Sequence, residues 1–102
     1  MEDLEKVYFT IISSVGTARS NYIEAIHKAK EGNFEEAEKL MKEGRDYFVE
    51  GHKAHGELIT KEANGEGAPV SLLMIHAEDQ LMSAEAFGIL AEEFVSLYRQ
   101  LK

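Results

Sequence analysis

The sequence predicts an all-α fold, an antiparallel three-helix bundle. Three observations carry that prediction. Apolar residues return at alternating spacings of four and three over long stretches, and no segment alternates apolar and polar residues as a half-buried strand does. The single proline and nearly all glycines fall near the ends of long blocks or on a repeating face. At 102 residues the chain suits one domain, 1–102, with one core, and is small enough for association to help bury surface.

The first block runs from about Leu4 to Glu31. Leu4, Tyr8, Ile11, Val15, Ala18, Tyr22, Ala25 and Ala29 form a heptad seam along it. Gly32-Asn33 closes the block, because glycine is the usual residue just past a helix end and asparagine caps the next helix well. So tight a turn makes the first two helices antiparallel. The second block, about Phe34 to Ala63, carries Phe34, Ala37, Met41, Gly44, Phe48, Gly51 or His52, His55 and Ile59 on one side. Asn64-Gly65-Glu66-Gly67-Ala68-Pro69 is a loop. The third helix then starts at Val70 or Ser71 and runs to about Leu101.

That third helix shows two adjacent stripes. One contains His76, Gln80, Ser83, Phe87, Leu90, Phe94, Leu97 and Leu101; the other contains Leu72, Ile75, Asp79, Met82, Ala86, Ile89 and Glu93. A bundle needs one apolar face per helix, so a second stripe suggests packing against other chains. The polar intrusions His76, Asp79, Gln80 and Ser83 need a reason too, since half-buried polar groups cost free energy unless paired.

Charge and composition narrow the partners. Nineteen acids against 11 bases give a net charge of −8, which argues against nucleic acid and anionic membrane as binding surfaces. Without cysteine there is no disulfide framework, no thiolate metal site and no thiol nucleophile. No apolar run approaches the ~18 residues of a membrane helix, and Met1-Glu2-Asp3-Leu4-Glu5-Lys6 lacks the features of a signal peptide. The expectation is a soluble cytoplasmic protein with no membrane insertion.

Among chemical candidates His76 stands first. It reads either as an ordinary hydrogen-bonded histidine or as a nucleophile, since an imidazole partly unprotonated near neutral pH can attack phosphorus and pass the group on. Asp79 lies three residues along, on the neighbouring stripe. His52 and His55 share a helical face as a metal pair would, yet two imidazoles fall short of a zinc site. Glu24-Ala25-Ile26-His27 matches half of a carboxylate-bridged iron site with no second copy, so Glu24 and His27 read as a solvated face. Gly65 and Gly67 lack the lysine and hydroxyl residue of a nucleotide loop.

Several ordered motifs resemble the lactose/cellobiose-type enzyme IIA family of the bacterial phosphoenolpyruvate:sugar phosphotransferase system. Gly16-Thr17-Ala18-Arg19-Ser20 is similar to the family's Gly-x-Ala-Arg-Ser, and Ala29-Lys30-Glu31-Gly32-Asn33-Phe34 to its Ala-x-x-Gly-Asp-Phe turn. His76-Ala77-Glu78-Asp79-Gln80-Leu81-Met82 resembles its His-Ala-Gln-Asp-His-Leu-Met, and Asn64-Gly65-Glu66 its Ser/Gly-Gly-Glu loop. The resemblance implies a homotrimer in which His76 accepts phosphate from HPr and donates it to a cysteine of enzyme IIB during uptake of a cellobiose-, chitobiose- or lactose-type disaccharide. It implies that Asp79 sits near the three-fold axis and binds a divalent cation, Mg²⁺ by its preference for oxygen ligands. His52, His55 and Gln80 become active-site neighbours. A mainly apolar docking surface is expected around His76, with Leu73, Ala77, Gly51 and Ala54 leaving room for partners.

The chain departs from the pattern at Glu78 and Gln80, which replace Gln and His, and at His55 and Gly56, which replace Gln and Thr. An exchange of His and Gln between the second and third helices would preserve an imidazole–amide contact, pairing His55 with Gln80. The alternative function is a non-catalytic interaction module, because Gly32-Asn33-Phe34-Glu35-Glu36-Ala37 also resembles the turn of a tetratricopeptide repeat. That reading gives His76 and Asp79 no role and lacks the roughly three repeats a solenoid needs.

Overall fold

The computed structural model describes residues 3–102 and contains three helices, α1 (Leu4–Lys30), α2 (Phe34–Ala63) and α3 (Leu72–Leu101). They lie side by side in a rod 53 × 20 × 17 Å, with no strand among the described residues. Each begins at a side-chain cap that satisfies an otherwise unpaired amide: Asp3 accepts from Glu5 N, Asn33 from Glu36 N, and Ser71 Oγ from Met74 N at 3.1 Å. Ser71 is extended, so α3 starts at Leu72, slightly later than the sequence suggests.

Two helix ends use the same stop. Gly32 has φ +86°, its amide bonds to Ala29 O at 3.0 Å, and the Asn33 amide bonds to Lys28 O at 2.8 Å. Gly65, at φ +80°, repeats the pattern, with Gly65 N to Glu62 O and Glu66 N to Lys61 O. Such left-handed closures cost a residue with a β-carbon free energy and cost glycine little. The first turns α2 back along α1; the second releases the chain into the connection to α3.

The predicted α1 seam is the centre of the core. Tyr8, Ile11, Val15, Ala18, Tyr22, Ala25 and Ala29 are all buried, packing in two clusters toward opposite ends of the bundle. On α2 the buried residues are Ala37, Met41, Gly44 and Gly51, with Phe34 and Phe48 packed at their edge. Where the sequence left Gly51 or His52 open, Gly51 faces inward. Ile59 is exposed and its neighbour Leu58 packs on the core instead.

The face that α3 turns to the bundle is neither of the two stripes read from the sequence. It is a third, running Met74, Ala77, Leu81, Ala84, Gly88, Ala91, Val95 and Tyr98 at spacings of three and four. Its alanines and glycine let the large α1 side chains approach the α3 backbone. Both predicted stripes therefore stay largely at the surface of the single chain.

Candidate functional site

His76 is exposed in the second turn of α3. The sequence around it divides by direction. Ala77 and Leu81 point into the bundle, Leu72, Ile75, Asp79 and Met82 point away from it, and His76 stands on a flank between. Gln80, one turn further and half-buried, shares that flank. Next along it comes Ser83, whose Oγ accepts from Arg19 Nη1 of α1 at 3.3 Å. Sequence reading missed that contact, although Arg19 lies in Gly16-Thr17-Ala18-Arg19-Ser20 and Ser83 among the polar intrusions of the stripe.

The opposite flank of α3 faces α2. There His55 Nε2 lies 2.6 Å from Glu78 Oε1. A carboxylate only accepts, so Nε2 carries the proton, and a neutral His55 is held in the Nε2–H tautomer. Hydrogen bonds to charged groups are worth ~1.5–3 kcal/mol. With the Glu78 side chain 46% exposed, solvent screening brings this pair down to about 1 kcal/mol. The expected His55–Gln80 contact is thus replaced by His55–Glu78. The reason is rotation: residues two apart on a helix point about 160° from each other, so Gln80 and His76 both face away from the side on which Glu78 meets α2.

Within one chain the predicted neighbours are therefore separated. His55 is turned to Glu78, while His52 is exposed on α2 with its ring 5.8 Å from that of Phe48. Asp79 is exposed between Ile75 and Met82. Among the described residues of a single chain no three His, Asp or Glu side chains converge as a metal site, so Asp79 offers one carboxylate per chain. Two residues expected on the docking surface belong to the core: Ala77 is 2% exposed, and a β-carbon on Gly51 would stand 2.6 Å from Val15 Cγ1. Leu73 and Ala54 are half-buried in the same cluster. Glu24 and His27 lie 3.5 Å apart with both side chains more than half exposed, as a solvated face requires.

Apart from His76 and Asp79, much of what α3 exposes along its length is apolar. Leu72 (82%), Met82 (66%) and Ile89 (63%) continue one stripe, and Leu90, Phe94 and Leu97 continue the other. No helix of the described residues is long and apolar enough to cross a membrane. A helical rod that exposes a histidine beside long apolar stripes has the surface of a protein that meets other proteins.

Comparison with known proteins makes the class specific. Residues 6–99 match the family described as the lactose/cellobiose specific IIA subunit of the PTS, the phosphotransferase system. The lichenan-specific phosphotransferase enzyme IIA component of Bacillus subtilis is 39% identical over 100 residues, covering 98% of this chain and 91% of its own. The PTS cellobiose-specific enzyme IIA of Bacillus anthracis superimposes with a TM-score of 0.94 at 40% identity, covering 99% and 93% of the two chains. A chain of the IIA(Chitobiose)-HPr complex of Escherichia coli gives 0.85 at 33% identity, with 99% and 98% covered. The chain belongs to the lactose/cellobiose-specific family of phosphotransferase-system enzyme IIA components.

Proposed function

We propose that this chain is a phosphohistidine carrier in the cytoplasm, taking a phosphoryl group from HPr on His76 and delivering it to a cysteine of enzyme IIB during disaccharide uptake. The observation that carries this reading is the exposure of His76, within its seven-residue motif, on a helix whose other flank and inner face are committed to packing. In the first step a ring-nitrogen lone pair of His76 attacks the phosphorus of phospho-HPr. A new P–N bond forms as the old one breaks; the HPr imidazole leaves with the electron pair and takes up one proton, balanced by the proton that the newly phosphorylated His76 ring gives up. In the second, the enzyme IIB thiolate attacks the same phosphorus and His76 keeps the pair. Positioning does most of the work in such transfers, which suits an open, apolar docking face.

The uncovered stripes of α3 support a homotrimer. Burying side chains such as Leu72, Met82 and Ile89 stabilises association by roughly 1.5–3 kcal/mol each when complete. In a three-fold ring every interface joins one flank of a subunit to a different flank of the next. With the Leu72–Ile89 stripe on the axis, the His76 flank of one copy faces the α2 side of its neighbour, so His52 and His55 approach His76 from an adjacent subunit. Asp79 then meets its two symmetry copies, and three oxygen donors on an axis fit a hard divalent cation such as Mg²⁺. Such an ion would neutralise the clustered carboxylates.

Incubation with phosphoenolpyruvate, enzyme I and HPr, followed by mass measurement in alkali, tests the carrier reading. One phosphoryl group per chain is expected. A chain that gains no mass would leave the docking-module alternative.

A further inference from the structure

We infer that the His55–Glu78 pair positions His76, by fixing where the first turns of α3 lie against α2. The inference rests on the carrier reading, and it names a device inside the single chain that the chemistry at His76 does not itself contain.

The α2–α3 contact is the thinnest of the three helix pairings. Two side-chain hydrogen bonds cross it among the described residues: His55–Glu78 at 2.6 Å near the start of α3, and Arg99–Glu38 at 3.0 Å near its end. Between Ala63 and Leu72 the chain is a connection containing Gly65 and Gly67, and the Ser71 cap is a local bond within α3. The start of α3 packs through Ala77, Leu81 and Ala84 on Tyr8, Ile11 and Val15 of α1, with Leu58 and Ala54 of α2 at the edge of the same cluster, and the His55–Glu78 bond is the side-chain hydrogen bond that ties this end of α3 to α2. Glu78 points away from His76, so it does not touch the transferred group of its own chain. It acts through two residues of rigid helix.

Rapid-quench transfer from phospho-HPr separates this role from a general loss of stability. Glu78→Ala is expected to lower the maximal transfer rate by about tenfold while the KM for HPr changes less than about twofold, because remote misplacement of a reacting group slows chemistry without removing docking contacts. Glu38→Ala, which cuts the equivalent tether at the far end, is expected to leave the rate unchanged. Glu78→Gln, whose amide oxygen still accepts from His55 Nε2, is expected to keep the rate within about twofold of wild type. Wild-type rates in Glu78→Ala, equal slowing in Glu38→Ala, or a Glu78→Gln chain as slow as Glu78→Ala each overturn the inference. A wild-type chain that takes up no phosphate at all overturns the carrier reading, and the positioning role falls with it.

Discussion

The ring of Tyr22 fills the space that a side chain on Gly44 would need: a β-carbon there would stand 2.7 Å from Tyr22 Cε1. Gly88 of α3 leaves the same opening on the other edge, 2.9 Å from Cε2. One aromatic residue of α1 is thus wedged between missing side chains on both partner helices. Gly44→Ala gains about 1 kcal/mol of helix propensity. It must also shift a ring that is 3% exposed, and the new β-carbon would stand 3.3 Å from the Ala18 carbonyl as well; such overpacking costs ~1–3 kcal/mol. Urea unfolding should show a net change between none and a loss of about 2 kcal/mol for Gly44→Ala. Gly56→Ala, where nothing lies within 4 Å, should instead gain about 0.5–1 kcal/mol. A gain in Gly44→Ala as large as that in Gly56→Ala would contradict the wedge.

The same residue makes the fold sensitive to alkali. Burial raises the Tyr22 phenol above its ordinary 10.0; Arg45 opposes the rise and Glu92 adds to it. The folded chain then keeps a proton that the unfolded chain loses, so the contribution is complete below the ordinary value and disappears as pH rises from 10.0 through the folded value. Between pH 9 and 11, on the order of the ordinary tyrosine range, the urea midpoint of wild type should fall more steeply than that of Tyr22→Phe. Parallel slopes would mean that Tyr22 ionises equally in both states.

How much of this was legible in the sequence depends on side-chain size. Helix limits were readable because Gly32 and Gly65 take the left-handed conformation just past the ends of α1 and α2, and the α1 seam was readable because Tyr8, Ile11, Val15 and Tyr22 dominate its hydropathy. The bundle face of α3 was not. Ala77, Ala84, Gly88 and Ala91 carry little hydropathy, while the larger Phe87, Leu90 and Phe94 dominate the hydropathy of α3 from its outer surface. The His55–Glu78 pair was hidden for another reason: it depends on the register of α2 against α3, and periodicity within one helix does not contain that quantity. The choice of Leu58 over Ile59 as the inward residue turned on the same register.

His76→Ala should fold with wild-type helicity and thermal midpoint, because the side chain is exposed and alanine favours a helix. It should accept no phosphate from phospho-HPr. His27→Ala, on the solvated face of α1, should accept phosphate at the wild-type rate. Intact-mass measurement in alkali reads both, and a phosphorylated His76→Ala chain would move the site elsewhere.

Asp79 interrupts the exposed stripe of Leu72, Ile75, Met82 and Ile89, and that placement decides how the proposed trimer responds to charge. Three-fold symmetry brings three copies of whatever residue lies on the axis together. Three carboxylates at close range repel, and burial disfavours their charged forms further, so a divalent cation, shared protons or water must compensate. Asp79→Leu removes the repulsion and extends the apolar stripe, so it should keep the trimer and make its mass insensitive to chelators. Asp79→Lys places three ammonium groups where no cation can neutralise them and should give monomers. Sedimentation of the three proteins with and without chelator distinguishes these outcomes. A monomeric wild type would remove the trimer altogether, and an intact Asp79→Lys trimer would show that Asp79 lies off the axis and that the Leu72–Ile89 stripe is covered in some other way.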